Sequence, residues 1–333
     1  MEWYLPVIWA ALIGTAVALY VILDGFDLGT GILFPFARNE RERDQMMNSI
    51  APFWDGNETW LVLGGGGLLV AFPMAYAVIM PALYLPVIVM LLALVFRGVT
   101  FEFRGLARRK GRWDIVFAAG STLAAFCQGA ILGGLIQGIR VENGEFAGGA
   151  FDWATPLAAL CGVAVVAGYA LLGATWLVLK TEGELAACAR AQAKVLLVAV
   201  LVFMGVVSLW TPFAFPRVFA RWFSLPNILF LWPVPIVTGL TALAAWKWLN
   251  EGPDARPFFA AIVLFCLGYL GLVISIFPYI VPPALTIWEA AAAPASQMFM
   301  LIGTLILLPV ILGYTGFIYW IFRGKVREGE GYH

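Results

Sequence analysis

The sequence predicts an all-α polytopic membrane protein with about nine transmembrane helices. Three observations support this prediction. Of the 333 residues, 62% are hydrophobic, and only 12% are charged. Soluble domains carry about 25% charged residues, so a water-soluble fold of this length could not hide so much apolar surface. The apolar residues also form segments of about 20 residues, the length that a helix needs to cross a bilayer.

The predicted spans divide one transmembrane domain, residues 1–333, into three parts. We expect two four-helix bundles, at about 1–137 and 155–281, and a peripheral last helix at about 298–322. The second span is the most polar, because Asp55, Asn57 and Glu58 stand in its first turns. The spans cover residues 5–35, 51–73, 78–97, 114–137, 155–179, 194–212, 226–247, 257–281 and 298–322.

Positive charge predicts the orientation of these spans. Nine spans place seventeen lysines and arginines on one side of the membrane and only Arg140, Arg217 and Arg221 on the other. Lysine and arginine are enriched in cytoplasmic loops. We therefore expect the N-terminus outside and the C-terminus inside. Omitting the second span would put the 38–43 and 97–112 basic clusters on opposite sides and remove the bias.

Acidic residues accumulate at the cytoplasmic ends of the first three predicted spans. Residues three apart share a helix face, and the acids recur at that spacing. A charged residue near the centre of a membrane helix costs about 2.5–3.5 kcal/mol on insertion scales, so each one needs a partner or a function. A structural salt-bridge cluster and a hydrated entrance for protons or ions both remain open. The group consists of Asp24, Asp27, Asp55, Glu58, Glu102, Arg97 and Arg104.

The sequence contains few histidine and cysteine residues, the types that usually bind haem iron and other transition metals. The only histidine is His333, the last residue, and Cys127, Cys161, Cys188 and Cys266 lack the spacing of a metal site. Haem and other metal centres in proteins usually use histidine ligands. We expect the chain alone to bind no haem and no metal, and its cysteines to act as packing residues. Nor does its charge pattern suggest a nucleic-acid partner.

Four consecutive glycines, Gly64 to Gly67, lie within the second predicted span. Small residues let membrane helices approach closely. The run therefore predicts tight packing against another helix, either of this chain or of a partner.

Three segments near the N-terminus resemble subunit II of cytochrome bd-type quinol oxidases. They are LDGFDLG at 23–29, NSIAPFWDGN at 48–57 and FRGVTFEFR at 96–104. A looser similarity continues through TEGEL at 181–185, FPYIVP at 277–282 and the helix at 309–320. The compact length resembles the cyanide-insensitive branch of the family.

The resemblance implies a heterodimer in the bacterial cytoplasmic membrane. Subunit I would carry two b-type haems, one d-type haem and the quinol site, and it would reduce oxygen to water. This chain would be its non-haem partner, which agrees with the missing internal histidines. A very small third subunit is usual in the family. In some members subunit II helps to conduct cytoplasmic protons and buries a structural quinone.

The resemblance also implies roles for the acidic group. Asp24 and Asp55 match the inner carboxylates of the family, and Glu102 stands where other members have aspartate, so these three form the expected proton path. The remaining four members would support them, although Glu58 stands where other members have glutamine. Those supporting residues are Asp27, Glu58, Arg97 and Arg104.

Two other functions remain open from the sequence. Buried acids in a multi-span bundle also mark proton-coupled transporters. The sequence lacks the paired broken helices and the inverted repeat that such transporters often show. A third interpretation keeps the oxidase but makes this chain a scaffold without a proton role.

Overall fold

The computed structural model describes residues 3–326, so Arg327 and His333 lie outside the described part. Helices dominate this part, and two short antiparallel hairpins interrupt them. The hairpins pair β1 (Val141–Glu142) with β2 (Glu145–Phe146) and β3 (Tyr279–Val281) with β4 (Leu285–Thr286). The helices are α1 (Tyr4–Leu33), α2 (Glu40–Ile50), α3 (Trp54–Ala71), α4 (Pro73–Phe103), α5 (Lys110–Gln137), α6 (Pro156–Lys180), α7 (Gly183–Ala214), α8 (Pro216–Phe223), α9 (Asn227–Leu231), α10 (Pro233–Glu251), α11 (Ala255–Ile276) and α12 (Pro294–Ile321).

Eight helical segments within residues 3–326 are long and apolar enough to cross a membrane. This confirms a helical polytopic protein. They correspond to α1, α4, α5, α6, α7, α9 with α10, α11 and α12. Helices α4 and α7 are longer than the sequence predicts, since polar turns at the end of α4 and at the start of α7 lower the local hydropathy. The hydropathy pattern does not predict the short helix α2, which Asn39 caps by accepting a hydrogen bond from the backbone nitrogen of Glu42.

The more polar helix α3 is not among these eight segments, although it runs antiparallel to α1. Near its start, the side chain of Asn57 contacts Asp27, and near its end, Gly67 packs against Ile13. The carbonyl of Ala71, its last residue, accepts a hydrogen bond from Gln297 at the start of α12. With 18 residues, α3 is about 27 Å long. This length is sufficient for a span, but the polar first turns lower the mean hydropathy of α3 and exclude it from the eight segments.

Glycines bring α1 and α6 into backbone contact. A Cβ atom on Gly29 would lie 1.8 Å from the carbonyl oxygen of Tyr169, and one on Gly173 would lie 2.3 Å from the carbonyl carbon of Gly29. No larger residue fits at either position without separating the two helices. The packing of α1 against α6 holds the face of α1 that carries its acids in a fixed position.

The four-glycine run of α3 only partly behaves as predicted. Gly64 and Gly67 face Val17 and Ile13 of α1, and a Cβ atom on either glycine would be in tight contact there. Gly65 and Gly66 have no atom of another residue within 4 Å of such a Cβ atom. Close packing within this chain is therefore confirmed for two of the four glycines, because successive residues face different sides of a helix. Packing of Gly65 and Gly66 against a partner stays a prediction.

Residues 322–326 fold back on the end of α6, and we call them the C-terminal clasp. The ammonium group of Lys180 donates hydrogen bonds to the carbonyls of Phe322 and Gly324. The backbone nitrogen of Val326 donates to the carbonyl of Lys180 at 2.8 Å. Lys325 completes the clasp with an ion pair to Asp254 at 2.7 Å. These contacts fix the end of α12 beside α1 and α3.

Candidate functional site

The candidate site is a buried group of carboxylates around one guanidinium. Asp24 and Asp27 lie near the end of α1, and no part of either residue is exposed. Arg97 of α4 is also completely buried, and its Nη1 lies 2.9 Å from Oδ1 of Asp24. The same nitrogen lies 2.6 Å from Oε1 of Glu58, on α3. One arginine therefore joins three helices, α1, α3 and α4.

Asp27 has a different environment from its two acidic neighbours. It makes no ion pair with any lysine or arginine in the described residues. Its Oδ2 accepts a hydrogen bond of 2.7 Å from Nδ2 of Asn57, a residue of α3 that is 1% exposed. The hydroxyl of Tyr319 on α12 donates to Oδ1 of Asn57 at 3.0 Å. The last helix thereby reaches the acidic group through an uncharged chain.

Several buried polar atoms of this group have no hydrogen-bond partner in the protein. They include both carboxylate oxygens of Asp24, Oδ1 of Asp27, and Nε and Nη2 of Arg97. The contact between Asp24 and Arg97 is an ion pair without good hydrogen-bond geometry. Buried polar atoms almost always find partners, and internal water commonly supplies them. The group is therefore suited to hold water between its charged side chains.

A second polar chain runs from the same helix toward α5 and α6. Tyr20 lies one helical turn before Asp24, and its hydroxyl accepts a hydrogen bond of 2.7 Å from Nε2 of Gln128. The hydroxyl of Tyr169 donates to Oε1 of Gln128 at 2.5 Å. These uncharged residues extend the polar interior away from α3. The sequence pattern does not reveal these residues, because isolated tyrosine and glutamine in apolar segments resemble packing residues.

The structure does not bring all the predicted site residues together. Asp55 and Glu102 are exposed and make no hydrogen bond or ion pair with the buried group. On α3, Asp55 lies about 200° around the helix from Asn57, which faces Asp27. Glu102 likewise lies about 140° around α4 from Arg97. The common spacing predicted a shared end of the bundle, but it did not show which side each acid faces.

Arg104 belongs to a separate ion-pair network at the end of α4. Its Nη1 lies 2.5 Å from Oδ1 of Asp44 on α2, and its Nε lies 2.6 Å from Oδ1 of Asp114 on α5. Burial acts to lower the pKa of Arg104, but the hydrogen bonds with the two carboxylates hold it above its ordinary value. Arg104 was expected to support the buried acids, but it pairs with Asp44 and Asp114 instead. That expectation is wrong because the partner on α2 lies outside the predicted spans.

The fold and this site define a polytopic helical membrane protein with a buried carboxylate–arginine cluster, formed by Asp24, Asp27, Glu58 and Arg97. The sequence profile of the family described as Cytochrome bd terminal oxidase subunit II matches residues 5–322. The chain belongs to this family, and it is a multi-pass protein of the bacterial cytoplasmic membrane. As a subunit II, it has a partner subunit in a respiratory quinol oxidase.

Similar proteins cover almost the whole chain. The cytochrome bd-I ubiquinol oxidase subunit 2 of Escherichia coli K12 is 31% identical over 371 aligned positions, covering 97% of this chain and 95% of the relative. The cytochrome bd ubiquinol oxidase subunit 2 of Bacillus subtilis 168 is 30% identical, covering 97% of both chains. The bd oxidase structure from Geobacillus thermodenitrificans shares the fold, with a TM-score of 0.77, 16% identity and coverage of 96% of this chain and 98% of that chain.

Proposed function

We propose that this chain is the non-haem subunit of a quinol oxidase and that its carboxylate–arginine cluster passes cytoplasmic protons to the oxygen-reducing partner. The observation that carries the proposal is the charge of the cluster. The cluster holds three carboxylates and one guanidinium, which contacts Asp24 and Glu58. Asp24, Asp27 and Arg97 have no exposed surface. Similarity to ubiquinol oxidase subunits supports quinol as the electron donor of the complex.

The excess of negative charge favours proton uptake. If all three carboxylates were ionised, two negative charges would remain without a counterion. An uncompensated buried charge costs several kcal/mol, about the same as the loss of one partner of a buried ion pair. Protons that enter the cluster lower this cost, and Arg97 keeps one carboxylate ionised to receive the next proton. Such groups can relay protons along internal water.

Glu58 connects the buried cluster to the surface of the chain. A quarter of its side chain is exposed, while its Oε1 contacts Arg97. Asp55 lies one helical turn before it on the exposed side of α3, and Glu102 is exposed at the end of α4. In the proposed path these two exposed acids collect protons, Glu58 transfers them inward, and Asp24 receives them. The exposed side of α3 can be covered by the partner subunit.

The proposed direction of proton entry depends on the membrane topology. We propose nine spans, with α3 as the second, the N-terminus outside and the C-terminus inside. The antiparallel course of α3 along α1 supports the ninth span, and the charge bias of the loops supports the orientation. The proposed arrangement is two four-helix bundles, about 1–137 and 155–281, with the last helix beside them.

The proposed division of labour places all haems in the partner. The sequence contains one histidine, at its last position. Two b-type haems and one d-type haem would bind to subunit I, together with the reacting quinol. A very small third subunit and a structural quinone are further expected members of the complex. The alternative of a proton-coupled transporter is less favoured, because the family is one of terminal oxidase subunits.

The contacts of Arg97 also favour a second function, in which the chain acts as a structural scaffold for the oxidase. Arg97 joins three helices, so the cluster can hold the bundle together whether or not protons move through it. Breaking a buried ion pair by removing one partner costs about 3–5 kcal/mol, enough to disturb assembly. Haem content therefore distinguishes the two functions.

Amide substitutions in the intact complex test the proposal. Asp24→Asn, Asp55→Asn, Glu58→Gln and Glu102→Gln keep the shape of each side chain and remove its ability to carry a proton. We expect Asp24→Asn and Asp55→Asn to slow quinol-driven oxygen consumption about tenfold or more with unchanged haem content. Glu251→Gln, an exposed acid at the end of α10, is the matched control. Loss of haem along with activity would support the scaffold, and full activity in all variants would exclude the proton role.

A further inference from the structure

Tyr319 links the last helix to the carboxylate–arginine cluster. Its ring stacks on Phe53, with 4.5 Å between ring centroids, and meets Phe26 edge-on at 6.4 Å. Its hydroxyl donates to Oδ1 of Asn57 at 3.0 Å. Two aromatic contacts and one hydrogen bond therefore hold the hydroxyl in one place.

The amide of Asn57 has one orientation that satisfies its surroundings. Its nitrogen faces two acceptors, Oδ2 of Asp27 at 2.7 Å and the carbonyl of Leu23 at 3.3 Å. Its oxygen faces the hydroxyl of Tyr319. Reversing the amide would turn its oxygen toward two oxygen acceptors. Because a buried amide oxygen without a donor is costly, the hydroxyl of Tyr319 helps to keep the nitrogen directed at Asp27.

Asp27 is the cluster member with the greatest freedom to exchange a proton. Arg97 contacts Asp24 and Glu58, whereas Asp27 has no ion pair in the described chain. Only one of its carboxylate oxygens is bound by a protein donor, and the other has no protein partner. A proton added to that free oxygen breaks no hydrogen bond or ion pair.

We infer that Tyr319 is a positioning residue for proton transfer: by fixing the amide of Asn57 it holds Asp27 as a proton-exchanging carboxylate of the cluster. This inference rests on the proposed proton role of the cluster. No atom of Tyr319 exchanges the proton in this scheme. Its hydroxyl acts through Asn57, and both side chains remain unchanged while Asp27 gains or loses its proton.

The C-terminal clasp supports the position of Tyr319. Phe322, whose carbonyl accepts a hydrogen bond from Lys180, lies one helical turn after Tyr319. The ammonium group of Lys180 also lies 5.6 Å from the centre of the Phe53 ring, the ring on which Tyr319 stacks. The clasp therefore holds both the backbone after Tyr319 and the ring beneath it.

Hydroxyl removal in the intact oxidase tests the inference. We expect Tyr319→Phe to lower the kcat of quinol oxidation about threefold, the effect of one lost hydrogen bond, with unchanged KM for quinol and unchanged haem content. Tyr314→Phe is the matched control, because Tyr314 lies on the same helix and is 65% exposed. Infrared difference spectra give a second measurement. The carboxyl band that disappears in Asp27→Asn should be shifted in Tyr319→Phe and unshifted in Tyr314→Phe.

The outcomes separate this inference from the proposed function. If Asp24→Asn and Asp27→Asn are slow while Tyr319→Phe matches Tyr314→Phe in rate and spectrum, the inference is wrong and the proton role stands. If both aspartate variants are fully active, the proposed function fails and the inference fails with it. A Tyr319→Phe complex that loses haem in proportion to activity, with an unshifted carboxyl band, would show a structural role and overturn the inference.

Discussion

Arg97 and Asp24 lie on different helices, and their charged groups meet 2.9 Å apart with both side chains completely buried. An ion pair in such a position gains little stability over an apolar pair, because both charges have lost their water. Removing one partner of the pair is strongly destabilising, because the remaining buried charge then has no counterion. The pair therefore makes α1 and α4 dependent on each other, and Glu58 extends that dependence to α3.

Arg97→Leu should prevent normal assembly. It leaves three carboxylates without a cation, and the cost is about 3–5 kcal/mol, a large share of the stability of a typical protein. We expect a strong loss of intact complex, measured as haem and both subunits recovered from membranes. Arg108→Leu is the control, because Arg108 is exposed. Normal recovery of the Arg97→Leu complex would contradict this role of the ion pair.

Hydropathy predicted most of the fold because the solvent around the chain is lipid. It located eight of the membrane helices, although α7 begins at Gly183, well before the predicted start at residue 194. It could not show that α2 forms or that residues 322–326 return to Lys180. Both features lie outside the apolar segments. They depend on capping and on contacts between residues far apart in sequence, for which a hydropathy pattern contains no information.

Only those features of the site that depend on charge and residue spacing could be predicted from the sequence. The three-residue spacing predicted that Asp24 and Asp27 share a face of α1, and the predicted order of the spans placed them at the same end of the bundle as Arg97, which contacts Asp24. It could not show that Asp55 faces outward, because that depends on how α3 is rotated against α1. Nor could it identify Tyr319 as a neighbour of the cluster, because that contact joins the first and last helices of the chain through uncharged side chains.

Gly29→Leu should disrupt the packing of α1 against α6. Its Cβ atom would fall 1.8 Å from the carbonyl oxygen of Tyr169, so the helices must separate, at a cost of about 3 kcal/mol or more. We expect the chain to become sensitive to protease in detergent. In Gly66→Leu the added side chain meets open space within this chain, and protease resistance should stay normal. Co-purification of the partner with Gly66→Leu then measures whether this side of α3 contacts it. Equal resistance of the two variants would contradict the packing argument.

Lys180→Met should release the C-terminal clasp. It removes two hydrogen bonds to the carbonyls of Phe322 and Gly324, and we expect carboxypeptidase to shorten the C-terminus about tenfold faster. Lys247→Met, which changes an exposed lysine, should leave the rate unchanged. The measurement is made on the solubilised complex by mass spectrometry. Equal rates in the two variants would show that Lys180 does not hold the segment.

The proposed nine-span topology predicts where reporter fusions are active. Fusions after Arg109 and Lys325 should report the cytoplasm, and fusions near Arg140 and Glu289 should report the outside. The reason is the seventeen-to-three distribution of lysine and arginine between the two sides. Each position uses a paired set of one reporter active inside and one active outside, so that a poorly expressed fusion is recognised. An outside signal at Lys325 would contradict the nine-span topology.

The absence of internal histidine predicts that this chain, expressed without its partner, binds no haem. Its one imidazole belongs to His333, at the end of the chain, whereas haem iron in membrane oxidoreductases is usually held by histidine inside the bundle. We expect the isolated chain to be colourless and less stable than in the complex, because the exposed side of α3 carries Asp55 and would meet lipid. Co-expression with the partner subunit should give a coloured complex with quinol oxidase activity, and pyridine haemochrome spectra quantify the haem in both preparations. Stoichiometric haem on the isolated chain would overturn the proposed division of labour between the subunits.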